Sequence, residues 1–132
     1  MSILGYFTLA IKALEIDSAS VSKTMEKRKS RFALYDGLNR SYTAAAYLLA
    51  QFGKNYAIDN GNRINGMMLM NEVMKVVRDI QYRIGGGLIY LDVEKSNRAA
   101  ISLYSDKIHF SKFDERKSSV DDVEYDVMIK AI

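Results

Sequence analysis

Apolar and polar positions fall into extended and helical patterns along the chain, and each change of pattern marks an element. Residues 3–16, ILGYFTLAIKALEI, predict a strand, with Gly5 near its start and Tyr6, Phe7 and Thr8 favouring extended backbone. Residues 20–31 predict a short helix with Ser20 or Ser22 as N-cap and Met25 and Arg28 on one face. The segment LYDGLNRS, 34–41, is turn-like through Asp36-Gly37 and Asn39. Residues 44–53, AAAYLLAQFG, are almost wholly apolar, which suits a strand buried on both faces. From Ile64 to about Arg83 the pattern is helical: Leu69, Val73, Val76 or Val77, Ile80 and Ile84 recur at steps of three and four. Gly85-Gly86-Gly87 ends that helix, its first glycine suited to a left-handed C-cap. A short apolar strand, LIYLDV, follows over 88–93, then a helix from Asn97 to about Tyr104 capped by Ser96 or Asn97. Two further strands are expected around His109–Phe113 and Glu124–Ala131.

From residue 44 the order is strand, helix, strand, helix, strand, strand. Buried strands alternating with helices imply an α/β sheet whose first pair is parallel, with a right-handed crossover. The closing hairpin is antiparallel, so the sheet is mixed. At 132 residues and 48% apolar content the chain reads as one domain, 1–132, with a single core. The absence of cysteine excludes disulfides, thiolate zinc sites and cysteine nucleophiles, and it suits a reducing compartment. The N-terminus has no basic start or cleavage site of the signal-peptide kind, and no apolar run approaches the ~20 residues that span a bilayer. A cytoplasmic protein that makes no membrane contact is the expectation.

Net charge is +3 with a pI near 9.0, and its distribution is uneven. Lys23, Lys27, Arg28, Lys29 and Arg31 crowd one segment against the single acid Glu26, whereas residues 114–126 lean acidic. The basic stretch reads either as a solvated helix face or as a surface for a polyanion such as RNA.

Three groups of residues raise chemical questions. FGKNYAIDNGNRINGMML, 52–69, runs from strand through a glycine-bearing turn into a helix, where free amides near Arg63–Met67 would face a bound anion with the helix dipole behind them. Lys54 and Arg63 stand nearby, yet the spacing fits neither a P-loop nor the dinucleotide fingerprint, and a polar surface loop reads equally well. In SNRAAISLY, 96–104, Asn97 and Tyr104 lie seven apart and share a helix face, so the hydroxyl is placed to donate a proton unless the ring merely packs on the sheet. His109 is the only histidine and reads as a core or surface residue. With no cysteine beside it, a metal site is not expected, and no G-x-S-x-G elbow supports a triad. The methionines at 67, 68, 70 and 74 read as core filling.

Together these groups resemble the GNAT superfamily of N-acetyltransferases. ILGYFTLA resembles the strand preceding the cofactor site in toxin-like and related bacterial members. AYLLAQFGKNY with INGMMLMNEVM resembles the cofactor-binding strand, pyrophosphate turn and helix. YLDVEKSNRAAISLY resembles the next strand and the N-x-x-A-x-x-x-Y helix, with His109-Phe110 where the family often has Gly-Phe, one residue late. The family's turn, Q/R-x-x-G-x-G/A, is matched only at Gly66, with Gly61 and Ile64 standing where Gln or Arg and the first glycine are common. The elements that usually precede the strand at Ile3 have no counterpart, so the chain resembles a GNAT core lacking its N-terminal part.

The resemblance implies a mixed, mostly antiparallel sheet with a splayed parallel central pair, packed helices and acetyl-coenzyme A as cofactor. It places the pantetheine arm on main-chain groups of Phe52, Gly53 and Lys54, and the pyrophosphate on amides of Arg63, Ile64, Asn65, Gly66 and Met67. Asn97 would hydrogen-bond the cofactor, and Tyr104 would be the general acid to the thiolate. The acceptor implied is an amine, on a small molecule or a macromolecule, attacking directly; Asp92 and Glu94 are candidate bases by placement alone. A different reading is a catalytically incompetent remnant that forms a homodimer or binds a partner through an exposed edge at Ile3–Ile16. An RNA-associated module using residues 23–31 is a third, compatible with the first.

Overall fold

The computed structural model describes residues 3–17, 33–38 and 41–132. The helix and basic segment expected within 20–31 lie outside the described residues. Strands β1 (Gly5–Asp17), β2 (Ala33–Asp36), β3 (Ser41–Lys54), β4 (Leu88–Glu94), β5 (Ser111–Lys117) and β6 (Glu124–Ala131) form one sheet. Their order is β1-β3-β4-β6-β5, with β2 beside β3 off the main path. Among the described residues only β3 and β4 run parallel. Helix α1 (Gly66–Ile84) carries the chain between them, and the short α2 (Arg98–Ser102) leads towards the closing hairpin. The mixed, mostly antiparallel α/β sheet expected from the sequence is the one observed.

Local chemistry accounts for the element ends. The Asn65 side chain accepts a hydrogen bond from Met68 N at 2.8 Å and caps α1, a contact that contributes about 1 kcal/mol to a helix. Leu69, Val73 and Val77 form the buried stripe of α1, with Met70 and Met74 beside them. Gly85 ends the helix at φ 82° and ψ −159°, so it has the expected positive φ but an extended ψ in place of the left-handed helical one. The turn expected over 34–41 is narrower, because Ala33–Asp36 pairs with Ala44–Ser41, and Gly37 and Leu38 are the described residues of the turn between them. The strand expected at His109–Phe113 starts later, at Ser111: His109 takes a left-handed φ of 66°, and Phe110 N donates to the Tyr104 carbonyl at 2.8 Å.

Side chains of the sheet divide between two cores. Tyr47, Leu49, Ile89, Leu91 and Val93 pack with Met70, Val73 and Val77 on the helix face. Ala44, Ala46, Leu88 and Ile129 form a smaller cluster on the other. One irregularity in β3 decides which way its last residues face. Thr8 stands opposite Gln51 but Leu9 opposite Leu49, so Ala50 is an extra residue, a β-bulge. The bulge shifts the alternation by one, and Leu49 and Phe52, three apart, both pack on the helix face.

A charged cluster ties β5 and β6 to the residue after β4. Glu115 lies 2.9 Å from Lys95 and 2.5 Å from Lys112, and Asp126 lies 3.6 and 3.3 Å from the same lysines. Asp126 Oδ1 is buried and feels the two charges without hydrogen-bond geometry to either. The lysines hold the Glu115 carboxyl down to about 2 from its ordinary 4.5, chiefly through the hydrogen bond from Lys112 and then that from Lys95. A lowered folded-state value stabilises the fold fully above about pH 4.5, and the contribution is lost as pH falls towards 2. Glu115→Gln is therefore expected to lower the melting temperature at pH 6–7, and the gap from the parent protein should close as pH falls from 4.5 to 2.5 in a thermal-denaturation series.

Candidate functional site

The parallel contact between β3 and β4 is short. Tyr47 pairs with Ile89 and Leu48 with Tyr90, and beyond these the two strands part. On the same edge of β3, β2 covers Ser41–Ala44. Among the described residues, 49–54 of β3 thus pair with β1 alone, and 91–94 of β4 with β6 alone. Each parted strand presents backbone N–H and C=O groups to the gap. The gap holds a cavity of 270 Å³ lined by both strands and by Asn97, Ala100, Tyr104 and Tyr125. Leu91 and Val93 alternate with Asp92 and Glu94 along β4, and all four line it, so residues of both faces of the sheet border the slot.

Tyr104 stands on the helix side of the slot. After Ser102 the helix widens into a π-type turn over Leu103–Lys107, closed by Ile108 N on the Leu103 carbonyl at 3.2 Å. Such turns recur at functional sites. The Tyr104 ring is buried, edge-on to Phe52 at 6.1 Å and to Phe110 at 6.0 Å between centroids. Burial raises its pKa above the ordinary tyrosine value, so the phenol stays protonated at neutral pH. Among the described residues its hydroxyl has no hydrogen-bond partner.

The other residues singled out from the sequence divide into two groups. Phe52 lines the slot with Tyr104 and Asn97, and Gly53 and Lys54 continue the same parted edge of β3. Asn97 caps α2, its Oδ1 accepting from Ala100 N at 3.1 Å, which leaves the side-chain N–H2 for another partner. The phosphate-turn candidates are differently engaged. Arg63 is exposed and bound to Asp59 at 2.7 Å, and Lys54 Nζ lies 5.4 Å from the Tyr56 ring centre. Ile64 precedes the helix, and Asn65 closes the Met68 amide, so Gly66 and Met67 hold the first amides of α1. The Met67 side chain packs against the core. A Cβ on Gly66 would come within 2.6 Å of Leu103 Cδ2, so that glycine also lets α1 approach the turn carrying Tyr104. His109 is exposed.

Two features of the slot were not anticipated. Tyr125 lines it because β6 sets that residue opposite Glu94. Asp92 is held by Arg116, with Nε at 2.9 Å and an Nη at 2.7 Å from the same carboxylate oxygen, while the guanidinium lies 4.6 Å over the Tyr125 ring. Period-two alternation in DERK and EYDV would have put Arg116 and Tyr125 on one face, but their register depends on a bulge between Lys112 and Asp114. Nothing in the local pattern announces it.

A coenzyme A arm fits this chain better than a pyrophosphate does. The parted edge and the slot suit an extended, amide-bearing chain, whereas at the helix N-terminus Asn65 takes the Met68 amide and, of the two nearby cations, Arg63 is paired with Asp59.

The sequence matches no family model and no curated protein. Solved structures do match. AtaT complexed with acetyl-methionyl-tRNAfMet superposes with a TM-score of 0.61 at 16% identity, over 97% of this chain and 62% of that one. Arabidopsis thaliana NAA60 in complex with a bisubstrate analogue gives 0.60 at 20% identity, over 98% and 64%. The NatC complex bound to Gag peptide and CoA gives 0.56 at 11%, over 98% and 61%. The chain thus spans roughly three fifths of the length of each. At these identities the likeness is one of fold, and the fold is that of the GNAT acetyltransferases.

Proposed function

We propose that the protein is an N-acetyltransferase that moves acetyl from acetyl-coenzyme A to a primary amine. The observation that carries this reading is the slot where β3 and β4 part, with free backbone edges and a buried, protonated tyrosine at its wall. The fold supports it, since structures sharing that fold hold CoA or a bisubstrate analogue. When bound, acetyl-coenzyme A supplies an acetyl thioester. Main-chain groups of Phe52, Gly53 and Lys54 would hold its arm, and the amides of Gly66 and Met67, with those of Arg63, Ile64 and Asn65 before them, its pyrophosphate. The Asn97 N–H2 would donate to it. Tyr104 keeps its proton on Oη and delivers it into the slot as general acid to the leaving thiolate. The protein's main contribution is then orientation of two reactants within one confined cleft.

A second reading rests on the sheet edge. Among the described residues β1 pairs with β3 alone, and Ile11 on it is exposed, as are Tyr6 and the preceding Ile3. Such an edge suits pairing with a second copy of the chain. Sedimentation showing only monomer at tens of micromolar would remove this reading.

Acetyl-coenzyme A is expected to raise the melting temperature in proportion to the logarithm of its concentration, as a ligand of the native state must, with about 2.7 kcal/mol gained at a hundredfold excess over Kd. The absence of any shift at millimolar cofactor would overturn the assignment. Tyr104→Phe should lower kcat by about 10²-fold or more while leaving the cofactor-induced thermal shift within error. Equal losses in turnover and cofactor affinity would reject the acid role.

A further inference from the structure

The face of the slot opposite the helices carries an arrangement that the acetyl-transfer reading leaves unused. Asp92 and Glu94 sit two apart on β4, about 6.8 Å along the strand and on one face. Arg116, Tyr125 and Glu94 form one row across β5, β6 and β4, each opposite the next. The nearest straight course for the Arg116 guanidinium therefore leads across the Tyr125 ring towards Glu94. It runs diagonally instead, lying on that ring and closing on Asp92. Asp92 is thereby neutralised and one face of Tyr125 is covered. Among the described residues no cation pairs with Glu94, which lines the slot.

We propose that Glu94 is the carboxylate that receives the acceptor's ammonium group, and that Arg116 is a positioning residue whose bond to Asp92 keeps Glu94 free. The proposal rests on the acetyl-transfer reading for its biological sense, but its geometry does not involve the cofactor. The acceptor class that fits is a primary amine presenting a single cation. Among the described residues the slot offers one negative charge without an ion-pair partner, and a second cation would meet Arg116. The bond between Arg116 and Asp92 also makes a counterintuitive demand. Removing the charge of Asp92, which itself pairs with no ligand, releases a guanidinium that stands in the same row as Glu94.

The test uses the full chain and two isosteric probes, n-butylamine as cation and 1-butanol as neutral control, followed by amide chemical-shift titration at pH 7. The parent protein should show shifts at slot residues with the amine and not with the alcohol. Glu94→Gln should weaken amine binding by roughly fivefold, the order expected of one partly exposed charge pair. Asp92→Asn should weaken it by a similar factor, about threefold to fivefold, because Arg116 then turns to Glu94. The double variant Asp92→Asn with Arg116→Gln should regain the parent affinity, which loss of packing would not produce. Amine binding unchanged in Glu94→Gln overturns the proposal, and so does a double variant as weak as Asp92→Asn. The thermal shift with acetyl-coenzyme A is recorded on the same proteins and should be unaltered. If the parent protein shows no such shift but the amine responses hold, the enzymatic reading fails and the amine site stands.

Discussion

Strands β3 and β4 touch at two residue pairs and then separate, and most of the molecule is arranged around that separation. A parted parallel pair is costly where nothing covers it, since each unpaired backbone group taken from water without a partner loses on the order of a hydrogen bond. The chain holds the gap open from both sides. β1 pairs along the whole of β3, so β3 needs no help from β4 to stay extended. β6 does the same for β4 over all its seven residues. The bulge at Ala50 then sets Phe52 on the helix face, where it meets Tyr104. Without the bulge, strand alternation would turn Phe52 to the face away from Tyr104.

The N-terminus of α1 shows how a local stabilising contact limits a binding role. Helix starts leave several amides without internal partners, and a side-chain cap and a bound anion compete for them. Here Asn65 takes the Met68 amide, and Asp59 takes Arg63. Both contacts stabilise the turn, and both reduce what it offers a pyrophosphate. In the proposed site the strand half is thus open while the helix half is partly self-satisfied. A ligand held mainly through the parted strand would depend less on salt than one held through phosphates.

Much of this was legible in the sequence, and the limits have physical causes. The almost wholly apolar run AAAYLLAQFG and the three-four stripe of α1 are strong periodic signals: the helix appears within two residues of expectation, and the strand begins three residues earlier and ends one later than the run. The glycines at 85–87 ended the helix as composition suggested. Asn97 and Tyr104 both line the slot, one as the cap of α2 and the other from the π-type turn that follows it, so the expected neighbourhood is met although the helix between them is not regular. The π-type turn, the late start of β5 and both bulges left no local signature, since each is a matter of hydrogen-bond register rather than of apolar period. The bond between Arg116 and Asp92 joins residues 24 apart through a register that no window of sequence contains.

The burial of Tyr104 links stability to the chemistry proposed for the slot. Packing the ring between Phe52 and Phe110 withdraws the phenol from water and raises its pKa, so the contacts that anchor the turn also keep the proton in place. An exposed tyrosine at the same position would be a proton donor too, but water would compete for every transfer. The opposite face of the slot is built on the contrary rule: Asp92 and Glu94 stay solvated there, one of them held by Arg116. In the proposed reaction the neutral acid on the helix side would protonate the leaving thiolate, and the carboxylate on the other side would hold the acceptor's ammonium. That ammonium must lose a proton to the carboxylate or to water before its nitrogen can attack. This division of roles depends on the early parting of β3 from β4, which lets residues of both faces border one slot.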